Sequence, residues 1–222
     1  MEEIIDLDIE CDGEGVEGGE HAASLVDVAI ATPTSAPSTT TPSQIGPNSP
    51  IAVSMCPESI ELRPLTLDDL SFYERIYTDP RMWAELGGVV EQDMTAKLER
   101  DVASLETDRH WVLVIVIGDG VAAGTVSLWD HEWQGEAIDE IGWMVLPEHQ
   151  GRGLAGAGVA EALRRADEAA RWQLLHAFPA TTNAPSNALC RKHGFALRGP
   201  LEYMYRARSL RVNHWVRDGL SR

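Results

Sequence analysis

From residue 60 onward, apolar and polar positions fall into short strand-like runs broken by stretches with helical spacing. IELRP at 60–64 suits a strand. Thr66 followed by Asp69 makes an N-terminal capping pattern for a helix running through Tyr77. Met94, Leu98 and Val102 recur at i, i+4 and i+8 and predict a second helix over 90–105. Three strand-like runs follow: HWVLVIVI, which ends in the hairpin turn Gly118-Asp119-Gly120; VAAGTVSLWD; and, after a polar loop, AIDEIGWMV. Val159, Leu163 and Ala166 share one face of a helix over 154–172. LLHAFP reads as a further strand, and Pro185–His193 as a short helix closed by Gly194. FALRGPLEYMYRARSLRVNHWV supplies a final pair of strands. The order is β-α-α-β-β-β-α-β-α-β-β, an α/β (α+β) chain without an internal repeat.

The segment before residue 58 has a different composition. Its start, MEEIIDLDIE, is acidic, and residues 31–50 are almost all Ala, Thr, Ser and Pro. Such a stretch buries too little apolar surface to offset its ordering entropy. Residues 1–57 are therefore expected to be a disordered tail, with at most a short helix near Ala22–Ile30, and residues 58–222 the folded domain. The tail's order of acidic start and Ala/Thr/Ser/Pro stretch, ending IAVSMC, also fits the leader and core of a modified peptide. On that reading the tail is the domain's own substrate; on the plainer one it is an extension.

The formal charge of −17 is unevenly spread. No Lys or Arg precedes Arg63, residues 1–59 hold 11 acids, and the remainder carries 24 acids against 18 bases. That argues against nucleic acid as a partner, because phosphate contacts need clustered bases. An amine-bearing partner is more compatible. No apolar run approaches the ~20 residues a membrane helix needs, and the acidic start does not resemble a secretory signal. The three cysteines, Cys11, Cys56 and Cys190, form no C-x-x-C pair. Neither a disulfide framework nor a metal site is expected, and a cytoplasmic setting fits.

The most informative segment is IGWMVLPEHQGRGLAGAG, which begins at Ile141. It reads as a strand, a polar elbow and a glycine-rich turn opening a helix. Unpaired amides and the positive end of the helix dipole converge there, which suits a phosphate or pyrophosphate. A plain loop-to-helix connection is one alternative, although so many glycines in one helical turn are costly unless something approaches closely. A dinucleotide fold is another, since residues 151–156 satisfy G-x-G-x-x-G. Against it, Pro147–Gln150 separates strand from glycines, and too little chain follows to complete a doubly wound sheet. The match at Gly13–Gly18 lies in the acidic tail and would repel phosphate.

Gln150-Gly151-Arg152-Gly153-Leu154-Ala155 resembles the Q/R-x-x-G-x-G/A acyl-CoA signature of the GNAT N-acyltransferase superfamily. A second segment, from Asn183 through Ser186 to Gly194-Phe195, resembles the N-x-x-S…G-F helix of the branch that acetylates N-termini of ribosomal proteins. The resemblance spans residues 58–220 and includes the element order. It implies the GNAT fold: a central mixed, mostly antiparallel sheet flanked by helices, with a splayed strand pair holding acyl-CoA. It implies transfer of an acyl group, most simply acetyl from acetyl-CoA, to a primary amine on a small molecule or a peptide N-terminus. No metal is implied, and a homodimer stays open. Backbone groups near Met144 and Val145 would pair with the pantetheine arm, and the amides of Gln150, Gly151, Arg152, Gly153, Leu154 and Ala155 would cradle the pyrophosphate. Asn183 and Ser186 would contact the other side of the arm.

Acyl transfer needs the amine neutral, so a base must take its proton. Glu140 resembles the glutamate that histone-type members carry on the same strand. Glu202, in Leu201-Glu202-Tyr203, resembles the Glu-Tyr where the ribosomal-protein branch places its base. Asp139 should face away from Glu140 by strand alternation. Where many relatives place an acidic tyrosine, this chain has Cys190, which reads as a packed helix residue; Ser186 is then the hydroxyl available to the leaving thiolate. His131 and His214 read as structural or substrate-lining, and Trp83, Trp129 and Trp133 lie where the family builds its acceptor pocket. The rival reading keeps the fold without turnover, as a CoA-sensing or peptide-binding module.

Overall fold

The computed structural model describes residues 59–89, 91–105, 109–205 and 208–219. The expectations for residues 1–57 lie outside the described residues. Seven strands form one sheet: β1 (Ile60–Pro64), β2 (His110–Ile117), β3 (Val121–Trp133), β4 (Glu136–Val145), β5 (Leu174–Ala177), β6 (Ala196–Tyr205) and β7 (Arg208–Asp218). Their spatial order is β1-β2-β3-β4-β5-β7-β6. Every neighbour is antiparallel except β4 and β5.

Five α-helices cover the faces: α1 (Leu70–Thr78), α2 (Pro80–Trp83), α3 (Met94–Ser104), α4 (Leu154–Ala169) and α5 (Ala184–Lys192). The Thr66/Asp69 pattern is a true capping box, opening a 3₁₀ turn before α1. Asp69 also takes both arms of Arg63, at 2.8 and 2.6 Å. The second helix starts later than the expected residue 90, because the Asp93 side chain accepts from the Ala96 amide at 3.0 Å and fixes the first turn there. The four-residue α2, capped by Asp79 with Pro80 at its first position, was too short to leave a periodic signal. Helix α4 stops at Ala169 rather than Trp172, where Ala170 turns left-handed with φ 52°.

The expected polar loop between β3 and β4 is a two-residue turn. Gln134 and Gly135 have φ of 53° and 82°, the left-handed pair that a tight hairpin requires. Both strands are longer for it, and β3 runs on to Trp133. That extension brings His131 into the sheet opposite Ile138.

Alternation sends side chains to two cores. On one face, Val112, Val114, Trp129, Ile138 and Met144 pack against α1, α2 and α3. On the other, Ile115, Val126, Ile141 and Trp143 pack against α4 and α5. A polar knot lies between α1 and α3. Lys97 Nζ donates to Asp101 Oδ2 at 3.0 Å and to the Tyr73 hydroxyl at 2.8 Å. The Tyr73 hydroxyl in turn donates to Asp101. Among the described residues no helix is long and apolar enough to cross a membrane.

Two glycines are dictated by packing. A Cβ on Gly158 would lie 2.8 Å from Ile115 Cδ1, so glycine lets α4 settle on the sheet. A Cβ on Gly124 would lie 2.2 Å from the Met144 carbonyl oxygen of the neighbouring strand. Backbone cannot yield as a side-chain tip can. Gly124→Ala is therefore expected to destabilise the domain by about 1–3 kcal/mol, the usual cost of overpacking. Chemical denaturation of the two proteins measures this directly.

Candidate active site

The glycine turn is built by residues that need left-handed backbone. Gly151 and Gly153 have φ of 75° and 79°, with nothing within 4 Å of where a Cβ would sit. Gly153 is the N-terminal cap of α4, and no acidic residue occupies the first turn. The Ala157 amide is bonded to the Gly153 carbonyl at 3.0 Å. The amides of Leu154, Ala155 and Gly156 have no carbonyl one turn behind them. Sixteen helical residues line their dipoles up behind this opening. Arg152 is exposed and reaches back to His149 Nδ1 at 3.0 Å. The elbow is tied to α1 by the Arg75–Glu148 ion pair. An anion of pyrophosphate type fits this cradle.

Beside the cradle the sheet opens. β4 and β5 pair only at Asp139↔Leu175 and Glu140↔His176. Beyond Glu140, β4 runs five more residues without β5. The Leu146 amide bonds the Ala123 carbonyl at 2.9 Å, directly opposite in the β3–β4 ladder. Antiparallel alternation then assigns the backbone of Met144 to Thr125, and turns that of Ile141, Trp143 and Val145 into the gap. Of the two residues expected to offer backbone groups to the arm, Val145 does face the gap and Met144 does not. The Gln150 side chain already uses one of these groups: its Nε2 donates to the Val145 carbonyl at 2.8 Å. Its Oε1 is buried without a hydrogen bond.

Glu140 sits where the strands part. Its side chain is 1% exposed, on the face toward α1–α3, with Trp129 opposite on β3 and His176 on β5. Oε2 lies 2.9 Å from His131 Nε2. Oε1 is buried and makes no hydrogen bond. Burial pushes the carboxyl above its usual range; His131, and more weakly Tyr203, oppose the shift. Around it stands an aromatic wall. Phe178 packs against Trp133, Tyr203 and His214, with centroids 5.0, 4.8 and 4.9 Å away. His214 Nε2 and His176 Nδ1 are 3.0 Å apart. Burial holds both imidazoles below their ordinary value, His214 at about 4. Trp83 is not part of this wall: it is 1% exposed, with its Nε1 donating to the Ile76 carbonyl at 2.8 Å.

The structure separates the two proposed bases. Glu202 is on β6 beside Tyr203, and alternation turns it to the opposite face, away from Glu140. It is 60% exposed and accepts from Ser209 Oγ at 2.5 Å. Asp139 faces away from Glu140 as expected and takes Arg109 Nη2 at 2.9 Å.

Asn183 and Ser186 lie in the first turn of α5, both buried, with Asn183 Oδ1 capping the Ser186 amide at 3.0 Å. Asn187 was not anticipated. Its Nδ2 donates to the carbonyls of Ala180 and Asn183 at 2.9 and 2.7 Å. Its Oδ1 accepts from Asn213 and Trp215 at 2.7 and 2.9 Å. Cys190 is fully buried in the core under α4, and burial pushes its thiol up to about 12. His131 read as structural or substrate-lining, and its contact with Glu140 was not anticipated. The signal was the hairpin: once Gln134-Gly135 is a two-residue turn, residue 131 falls diagonal to residue 140 on adjacent strands.

Residues 59–196 match the family model of the acetyltransferase (GNAT) domain. The chain belongs to the GNAT acetyltransferase family. It is an acyl-CoA-dependent N-acetyltransferase, with acetyl-CoA as co-substrate. Solved structures of low sequence identity share its fold. Spermidine N-acetyltransferase from Vibrio cholerae, in complex with CoA and spermine, superposes with a TM-score of 0.62 at 18% identity, covering 72% of this chain and 95% of that one. The yncA protein of Salmonella typhimurium, solved with its cofactor acetyl-CoA, gives 0.61 at 20% identity, covering 73% and 95%. The Salmonella typhimurium enzyme that modifies the N-terminal serine of ribosomal protein L7/L12 gives 0.59 at 17%, covering 72% and 94%. No curated protein matches the sequence. Among the described residues of this acetyltransferase, no group of three or more His, Cys, Asp or Glu side chains could hold a metal ion.

Cys190 is thus a sealed thiol. Cys190 should resist iodoacetamide at pH 7 in the folded enzyme and react only on unfolding. Mass mapping of the Cys190 peptide with and without denaturant reads this out.

Proposed function

We propose that this acetyltransferase moves the acetyl group of acetyl-CoA onto a primary amine, on a small molecule or a peptide N-terminus, with Glu140 as the general base. The observation that carries the reading is the position of Glu140: a sealed carboxyl, above its usual range, at the last paired residue before the strands part. The cradle amides of Gly151 to Ala155 hold the pyrophosphate; that of Gln150 is already bonded to the Pro147 carbonyl at 3.3 Å. The gap-facing backbone of Val145 adds to the pantetheine arm as a strand adds to a sheet edge, and Asn183 and Ser186 line its other side. The reaction needs no protein nucleophile. The neutral amine attacks the thioester carbonyl, carbon–nitrogen bond forms, carbon–sulfur bond breaks, and coenzyme A leaves as thiolate. Ser186 is the hydroxyl proposed to protonate it.

The acceptor side is the face of α1–α3. Its wall near Glu140 is aromatic, and burial keeps the His176 and His214 imidazoles below their ordinary value. Relatives of this fold acetylate spermidine or a ribosomal protein's N-terminus, so both acceptor classes belong in the test.

Free-thiol release from acetyl-CoA, measured over polyamines, aryl-alkyl amines and short peptides, tests the reading. Glu140→Gln is expected to lower kcat by about 10²-fold or more on the best acceptor, while Glu202→Gln stays close to wild type. The assignment fails if the Glu140 variant turns over normally, or if calorimetry detects no binding of coenzyme A to the folded protein.

A further inference from the structure

His131 lies within hydrogen-bond reach of Glu140, and its partners fix how many protons the two share. Its Nδ1 is 3.2 Å from the backbone carbonyl of Glu132. A carbonyl only accepts, so Nδ1 carries the hydrogen. Nε2 then faces Glu140 Oε2 at 2.9 Å. Two lone pairs at that distance would repel, so one proton lies between them. The pair is imidazolium–carboxylate or imidazole–carboxylic acid. Both forms are neutral overall, which is how a carboxyl 1% exposed is tolerated.

We propose that His131 is the proton-relay and positioning residue of Glu140: it keeps the Nε2 hydrogen bond to Oε2 and gives up its Nδ1 proton, on the exposed edge of the ring, when Oε1 takes one from the acceptor ammonium. This rests on Glu140 being the base. The balance is closed. The ammonium gives a proton to Glu140 Oε1, and the imidazolium gives its Nδ1 proton to water, so the pair is again neutral overall. The amine attacks, and its second proton passes to the leaving thiolate through the Ser186 hydroxyl. One proton is released per acetyl group transferred.

Access singles out His131 among Glu140's neighbours. Its side chain is 18% exposed, against 1% for Glu140. Burial alone would lower the imidazole, but the Glu140 bond and charge, the Glu132 carbonyl and Asp130 together hold it above its ordinary value. The other titratable groups around the pair do not serve. The Tyr203 hydroxyl, on β6, is pushed far up by burial and by Glu140, and stays protonated. His176 on β5 and His214 on β7 are held neutral, bonded to each other and repelled by Arg198. Asp130, on β3, pairs with Arg109 at 3.4 Å, and so does Asp139, on β4, at 2.9 Å. Trp129 stacks along the His131 ring with centroids 6.3 Å apart, fixing its plane.

His131→Gln keeps a donor near Glu140 but cannot titrate. Its kcat/KM at pH 7 should fall about tenfold or more, with the acid limb of the pH profile moved up by about one unit, since burial of Glu140 is then less opposed. KM for acetyl-CoA should not change. An unshifted profile with wild-type kcat would overturn the proposal. Nitrogen-15 NMR of wild-type His131 gives a second reading should the variant not fold. The expected result is a protonated Nδ1 and a titration above about 6.5 that drops in Glu140→Gln; an Nε2–H tautomer, or a titration indifferent to Glu140, overturns it. The NMR result is independent of turnover. An enzyme that acetylates nothing in the thiol assay would refute the function while leaving the pair's proton readable.

Discussion

β4 loses its partner halfway along its length, and the site is organised around that loss. A sheet strand normally spends its backbone groups on two neighbours; β4 past Glu140 has one. Leaving a buried backbone group without a partner costs roughly 1–3 kcal/mol, so the gap must be held open by something. The chain after β5 does this. Asn213 donates its amide to the Pro179 carbonyl, Thr181 donates to Arg211, and Ala180 bridges Val212. Asn187 then ties Ala180 and Asn183 to Asn213 and Trp215. The continuation of β5 is drawn toward β7 and cannot close on β4. What remains exposed along β4 is a row of donors and acceptors at strand spacing, partly covered by Gln150. An extended amide-bearing arm completes it.

On the face toward α1–α3, the Lys97–Asp101–Tyr73 cluster and the Glu140–His131 pair differ in one respect. Lys97, Asp101 and Tyr73 are all 3% exposed or less and bond to one another. They fasten α3 to α1, and no member reaches water. Breaking such a cluster by removing one partner leaves an uncompensated charge and costs about 3–5 kcal/mol. Glu140 and His131 obey the same rule of neutrality, but His131 has an edge in solvent. A buried acid linked outward can cycle protons, whereas one locked among sealed partners serves the fold.

Much of this was legible in the sequence, and the misses share a cause. Strands β1 and β2, the glycine turn and helix α5 could be read because periodicity, glycine and capping residues act locally. Glu140 entered through its likeness to the glutamate of histone-type members, and it lies buried where β4 and β5 part. Helix α2 has too few residues for a period. The β3–β4 turn was hidden because Gln134, unlike Asn or Gly, does not advertise a positive φ. Missing that turn also hid His131, whose meaning depends on cross-strand register. The four glycines of 151–158 divide in a way only packing decides: Gly151 and Gly153 serve backbone conformation, Gly156 and Gly158 close approach to Leu189 and Ile115. Glu202 looked equivalent to Glu140 beside its tyrosine, and strand alternation puts it on the wrong side.

The uneven elaboration of base and acid has an energetic reason. An alkyl ammonium near pKa 10.4 is more than three units from neutral at pH 7, so freeing the amine costs about 4–5 kcal/mol. A thiol near pKa 8.5 leaves as its anion at a cost of about 2 kcal/mol. The first transfer is the larger demand, and on the proposed reading the chain meets it with a buried carboxyl, an imidazole and an aromatic wall. On the leaving-group side, the Cys190 thiol of α5 is sealed and offers no proton. For a peptide α-amine, near 7.7–8.0, the cost of deprotonation falls to about 1 kcal/mol. The help required of Glu140 therefore scales with the basicity of the acceptor, and the investment in the Glu140–His131 pair is repaid most by a strongly basic amine.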